Sequence, residues 1–228
     1  FVMAGLEIIT LGCRLNAFES QVMRQLSHSA GLYNAIIINT CAVTAEAERQ
    51  ARQVIRRVRR KNPKATLIVA GCAAQLSPER YGAMPEVDRV IGNKEKLHLA
   101  TFGKRSFEEQ PVLVSDIMAE RKVTPHFIAG VDGRSRAFVQ IQQGCDHRCT
   151  FCIIPFARGP NRSVGIVHLV RQVSNLVEQG LKEVILTGVD ICSYGHESQG
   201  RQGLGDMVAK LLDAVPGLAR LRLSSLDP

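Results

Sequence analysis

The chain has 228 residues, 45% of them hydrophobic, enough apolar material for one large domain or two small ones, each with its own core. That excludes a disordered chain, and no window approaches the ~18 uninterrupted apolar residues that a membrane-spanning helix needs. Lys and Arg total 29 against 21 Asp and Glu, a formal charge of +8 that favours a polyanionic partner such as nucleic acid.

The opening FVMAGLEIITLGC carries a short apolar run ending in Cys13, but it lacks a basic leader and Glu7 interrupts it. Export is therefore not expected, and the compartment is read as the reducing cytoplasm, with no membrane partner. Apolar runs bounded by turn residues predict buried strands at 6–11, 35–39, 66–70 and 87–91. Between them lie helical patterns at 17–30, closed by Gly31, and at 44–61, capped by Thr44. Such alternation implies a parallel α/β sheet. From 103 to 136 the periodicity fades among Gly103, Pro111, Pro125, Gly130 and Gly133, and the segment reads as a linker, with a short strand at 112–114. A second βα series follows: strand 137–143, helix 164–179, strand 183–187, helix 204–214 and strand 218–223. The expected organisation is an α/β domain over 1–102, a linker over 103–136 and a second βα domain over 137–228.

Seven cysteines in a reducing compartment point to metal ligands or catalytic thiols rather than disulfides. Cys145, Cys149 and Cys152 form a CxxxCxxC directly after a predicted strand. Three thiolates on one tight loop suit three irons of a 4Fe-4S cubane and leave the fourth iron open for a cofactor. Zinc is the competing metal, but a structural zinc site wants four ligands, usually in CxxC pairs. His147 is the one candidate fourth ligand inside the loop. Cys13, Cys41 and Cys72 are far apart in sequence, yet each falls just past a predicted strand, in TLGC, IINTC and VAGC. The carboxyl ends of parallel strands share one edge, where such folds bind ligands, so these thiols are expected to meet in a second three-cysteine site. Cys192 follows another strand without a partner and reads as structural.

On these residues the chain resembles the radical-SAM methylthiotransferases. The resemblance rests on GCRLN from Gly12 to Asn16, NTCAV from Asn39, AGC ending at Cys72, the CxxxCxxC, IPFARGPNRS from Ile154 to Ser163, TGVDI from Thr187 to Ile191 and LSSLDP from Leu223. It implies an N-terminal parallel-sheet α/β domain followed by the first part of a radical-SAM (β/α) barrel, about three strands of it. It further implies two 4Fe-4S clusters, an auxiliary one on Cys13, Cys41 and Cys72 and one binding S-adenosyl-L-methionine on Cys145, Cys149 and Cys152. Phe151 is placed to pack on the cofactor's adenine. Thr187, Gly188 and Asp190 are placed to hold its methionyl end, and Ser224 and Ser225 its polar groups. Arg158 and Arg162 are expected to contact substrate, because the guanidinium fork suits phosphate or carboxylate.

The wording of the motifs looks most like the branch that adds methylthio to C2 of threonylcarbamoyladenosine beside the tRNA anticodon. The partners so implied are tRNA and an electron donor such as a flavodoxin or ferredoxin. A ribosomal-protein Asp is the alternative substrate, and a zinc-stabilised nucleic-acid-binding module the alternative of another class. The arginines at 49, 52, 56, 59 and 60 lie opposite the apolar face of the helix over 44–61 and form a stripe able to track phosphates. Family members carry about three more βα units and a C-terminal RNA-binding domain, so the third barrel strand is expected to lie on an open edge.

Overall fold

The computed structural model describes residues 5–103, 110–127, 135–197 and 203–226. The chain divides into two compact units, one formed by residues 1–119 with 149–158 and the other by 120–148 with 159–228.

In the first unit, β1 (Glu7–Thr10), β2 (Ala35–Thr40), β3 (Thr66–Gly71), β4 (Arg89–Ile91) and β5 (Val112–Leu113) form a wholly parallel sheet in chain order. α1 (Arg14–Ser29) and α2 (Ala45–Lys61) connect the first three strands; the short α3 (Cys72–Leu76) and α4 (Pro78–Gly82) lead to β4. All six residues of β2 are buried, as expected of a parallel strand covered on both faces. Alternation then sorts the apolar side chains. Ile36, Ile38, Leu67, Val69 and Val90 pack with Ile55 and Val58 of α2, whereas Ile37, Ile68 and Ile91 pack with Met23 of α1 and Phe102. Thr44 caps α2 by accepting from the Ala47 N–H at 3.0 Å. Acidic Glu46 and Glu48 in its first turn and basic Arg59, Arg60 and Lys61 in its last match the helix dipole. α5 (Ile154–Arg158) also belongs to this unit and packs on α3.

Register matters most for the site. Thr10 pairs with Asn39, and Asn39 with Ala70, so β1, β2 and β3 end level with one another.

In the second unit, β6 (Arg136–Gln140), β9 (Glu183–Thr187) and β10 (Arg220–Leu223) make a parallel sheet in the order β10-β9-β6, and β7 (Gln142–Gln143) pairs antiparallel with β8 (Arg162–Ser163). α6 (Ile166–Glu178) buries Leu169, Val173 and Leu176 and α7 (Leu204–Ala214) buries Met207 and Leu211, all in one core with Ala137, Val139, Val184 and Leu186. Among the described residues β10 pairs with β9 alone and lies at the sheet's edge.

Several elements differ from the sequence expectations. The strand expected over 137–143 breaks at Ile141, whose N–H still reaches Thr187 O at 2.9 Å before the chain leaves the sheet for β8. α1 starts at Arg14 rather than 17, so Cys13 is its N-cap residue. The segment read as a linker is partly structured: β5 completes the first sheet, and Ile117 is buried in a 3-10 turn, Ile117–Ala119. Gly130 and Gly133 of that segment lie outside the described residues, as do Asp227 and Pro228. No helix among the described residues is long and apolar enough to cross a membrane.

Candidate functional site

Cys13, Cys41 and Cys72 sit where β1, β2 and β3 end. Cys13 is exposed at the start of α1, Cys41 follows β2 and is 8% exposed, and Cys72 opens α3 at 4% exposure. Gly12, at φ +101°, lets the Cys13 turn press onto Cys41: a Cβ there would stand 2.7 Å from Cys41 Cβ and 3.0 Å from its Sγ. Burial pushes the Cys41 thiol up, an N–H of Val43 opposes this, and the Cys72 and Cys13 sulfurs add to the rise. The three sulfurs do not, however, all fall within the 4.8 Å span that gathers ligands on one ion.

Beside Cys72 lies a buried charge network. Arg158, the last residue of α5, is 2% exposed. Its Nη1 donates to Glu19 Oε1, its Nη2 to Glu19 Oε2 at 3.1 Å and to Asn16 Oδ1 at 2.5 Å, and its Nε to Cys72 Sγ at 3.1 Å. Lys96 Nζ donates to Glu19 Oε2 at 2.6 Å, with both side chains fully buried. Burial works to raise the Glu19 carboxyl, but Arg158 and Lys96 outweigh it and hold the group below the usual carboxylate range. Asn93 Nδ2 donates to Ala157 O at 2.7 Å and points at Cys72 Sγ from 3.8 Å, tying α5 to the same sulfur. Asn16 Nδ2 donates to Leu11 O at 2.7 Å and Thr40 O at 3.0 Å, pinning the ends of β1 and β2 together.

In the second unit, Gly144 at φ +72° turns the chain from β7 into the cysteine loop, and a Cβ there would collide with the Pro160 carbonyl. The Cys145 N–H then donates to Gly159 O at 3.0 Å. Cys145 Sγ lies 3.7 Å from Asp190 Oδ2, and His147 Nε2 lies 3.3 Å from the same oxygen. Cys145, His147 and Asp190 are the group among the described residues whose ligand atoms converge within 4.8 Å. The organiser of this loop is Gln142, fully buried. Its Nε2 donates to Gly144 O at 2.7 Å and Asn161 Oδ1 at 2.6 Å, while its Oε1 accepts from the N–H groups of Val189 at 2.9 Å and Asp190 at 2.8 Å. The turn after β9 is thereby fixed to the turn before Cys145.

The remaining expected site residues are placed as follows. Cys149 is exposed and Cys152 half-buried; both belong to the first unit, where the Cys152 N–H donates to Cys149 O at 3.0 Å. Phe151 between them is 90% exposed. Thr187 is buried at the end of β9, and Gly188 sits close against Gln142 and Ile191. Ser224 continues the β10 pairing by donating its N–H to Leu186 O at 2.9 Å, and Ser225 is exposed. Cys192 is half-buried in a 3-10 turn. Neither arginine expected at the substrate faces solvent. Arg158 is committed to Glu19, Asn16 and Cys72, and Arg162, 5% exposed, donates to Pro160 O at 2.9 Å and Glu120 O at 3.4 Å. The physical reason is shared: a buried guanidinium must spend its donors on fixed acceptors.

The arginine stripe of α2 is largely paired, through Arg49–Glu46, Arg52–Glu48, Arg56–Glu86 and Arg59–Asp88. Arg56, Arg57 and Arg60 line a surface hollow of about 530 Å³ next to Leu11 and Val54.

Sequence reasoning missed Glu19, Lys96, Gln142 and Asn161. Glu19 follows Phe18 on the buried face of α1, and a carboxylate among Leu15, Phe18 and Val22 was the available signal. Gln142 had one too, as one of three glutamines, with Gln140 and Gln143, in the strand that leads into Gly144-Cys145.

Two stretches match family models: residues 6–92 match the uncharacterized protein family UPF0004, and 139–209 match the radical SAM superfamily. A radical S-adenosylmethionine methyltransferase, TsrM from Kitasatospora setae, shares the fold at a TM-score of 0.55 and 15% identity, over 99% of this chain and 56% of that one. The chain thus pairs an N-terminal parallel α/β unit similar to UPF0004 with a β/α region similar to the radical SAM superfamily. It is 49% identical over 97% of its length to the threonylcarbamoyladenosine tRNA methylthiotransferase MtaB of Rickettsia prowazekii, and 37% identical over 99% to that of Bacillus subtilis. The chain is thus strongly similar in sequence to MtaB-type tRNA methylthiotransferases. The chain spans about half the length of these relatives, 52% of each.

Proposed function

We propose that this chain is the cofactor-binding part of an enzyme that adds a methylthio group to C2 of threonylcarbamoyladenosine beside the tRNA anticodon. The observation that carries the reading is the position of three sequence-distant cysteines just past the level ends of β1, β2 and β3, in a chain that also holds the CxxxCxxC loop. In this reading Cys13, Cys41 and Cys72 hold an auxiliary 4Fe-4S cluster, and Cys145, Cys149 and Cys152 hold the cluster that binds S-adenosyl-L-methionine. The donor chemistry suits both: each set is three soft thiolates, the ligands iron-sulfur clusters prefer. When bound, these groups supply the radical and sulfur-transfer chemistry.

The chain's residues supply holding and shielding. Phe151, exposed next to Cys152, is available to pack on the adenine. Gly188 and Asp190, fixed by Gln142, present the end of β9 to the cofactor's methionyl part, with Thr187 behind them and Ser224 and Ser225 at the end of β10. The hollow beside Arg57 and Arg60 supplies positive charge for tRNA phosphates. The setting is the cytoplasm, and a flavodoxin or ferredoxin is the electron donor.

A second reading rests on the convergence of Cys145, His147 and Asp190, a donor set that also suits zinc. It predicts a colourless protein containing zinc. The first reading predicts a brown, oxygen-sensitive full-length protein with about eight irons per chain.

The deciding experiment is mass spectrometry of tRNA nucleosides from cells lacking the full-length gene and from cells with it restored. Loss and recovery of the methylthio group on threonylcarbamoyladenosine is the expected result. Unchanged tRNA would remove this substrate and turn attention to a ribosomal-protein Asp.

A further inference from the structure

Three ionisable side chains are sealed together in the first unit: Glu19, Lys96 and Arg158, each no more than 2% exposed. Formally two are cationic and one anionic, a surplus of one positive charge, which burial opposes by drawing the Lys96 ammonium below its usual range. A surplus charge without water is unfavourable unless an anion stands beside it. Glu19 is already shared by both cations. The sulfur of Cys72, a thiolate when it ligates a cluster, lies 3.1 Å from Arg158 Nε.

The geometry is specific. Glu19 and Asn16 take the Nη groups of Arg158, which fixes the plane of the guanidinium and aims its Nε–H at Cys72. Lys96 fixes Glu19 in turn. Asn93, itself anchored on the Ala157 carbonyl, approaches the same sulfur from α5's side of the unit. A solvated arginine would have no such fixed direction, and a merely structural ion pair would be neutral.

We infer that Arg158 is a positioning residue for the sulfur of Cys72: held by Glu19 and Lys96, it donates a fixed N–H···S hydrogen bond and a positive charge that tune the group bound there. This rests on the proposed reading of Cys72 as a cluster ligand. Hydrogen bonds to cluster sulfurs and local charge are among the determinants of cluster potential, and both raise it by stabilising the more negative, reduced state. Arg158 therefore acts through Cys72 and does not touch substrate.

The test uses the full-length protein with Cys145, Cys149 and Cys152 replaced by Ala, so that one cluster remains, followed by redox titration read by electron paramagnetic resonance. Arg158→Met is expected to disfavour reduction by about tenfold, a fall of about 59 mV for a one-electron couple. Glu19→Gln, which leaves Arg158 in place and adds to the surplus charge, is expected to move the potential the opposite way. Arg158→Lys, which keeps the charge but loses the fork, is expected to fall between parent and Arg158→Met. If Arg158→Met does not fold, the other two variants decide by the same titration. Unchanged potentials in variants that retain their iron overturn the inference alone. A parent protein with no iron-sulfur signal overturns the assignment of Cys13, Cys41 and Cys72 as ligands, and the inference falls with it.

Discussion

Glu19 shows how a single buried carboxylate couples the fold to pH. Its pKa is held below the ordinary value by Arg158 and Lys96, so its contribution is fully present above the unfolded value of about 4.3 and is lost as pH falls below that. Removing one member of a buried ion network costs on the order of 3 kcal/mol, because the remaining charges stay desolvated. Urea unfolding of the full-length protein at pH 7 is expected to show that loss in Glu19→Gln. The gap between variant and parent should narrow at pH 3.5, and an equal gap at both pH values would mean that Glu19 is not ionised in the fold. Nothing in the local sequence signals this pairing. Lys96 reads as one more surface lysine until the 3-10 turn Glu95–Leu97 turns it onto α1.

At the scale of elements, cysteines stand at the ends of strands and the turns fix the backbone that bears them. The turn that leads into Cys145 in the second unit is closed by Gly144 packed on the Pro160 carbonyl and by Gln142 bridging to Asn161 and to the turn after β9. Gly144→Ala cannot keep that approach, and alanine also resists a φ of +72°. The expected outcome is loss of about half the iron from the anaerobically purified full-length protein, with the cluster on Cys13, Cys41 and Cys72 retained. Iron analysis together with electron paramagnetic resonance checks it, and full iron content would show that the turn has another way to close. The principal strands and long helices were legible because periodicity and caps are local: Thr44 caps α2 as its sequence suggests. The short α3, α4 and α5 were not, since five-residue helices have too little periodicity to stand out and are held by packing instead.

Over the whole molecule the basic balance has a physical use only where arginines are not already paired. Most of the α2 stripe is matched by Glu46, Glu48, Glu86 and Asp88, while Arg57 and Arg60 line the hollow beside it. In the full-length protein, Arg57→Glu with Arg60→Glu is expected to weaken tRNA binding and to lower the slope of log affinity against log salt by about 2, one per lost phosphate contact. An unchanged slope, measured by filter binding across salt concentrations, would place the phosphate contacts elsewhere.

The sequence by itself determined the alternating βα order and the strand ends that Cys13, Cys41 and Cys72 follow, because each depends on residue type and spacing along a few neighbouring positions. It did not determine what surrounds the sulfurs. Glu19 meets Lys96 across 77 residues and Arg158 across 139, and Gln142 meets Asp190 across 48. Only the tertiary structure decided those meetings, since a buried charge or amide takes whichever partner the packed core brings within hydrogen-bond distance, and that distance has no trace in local sequence.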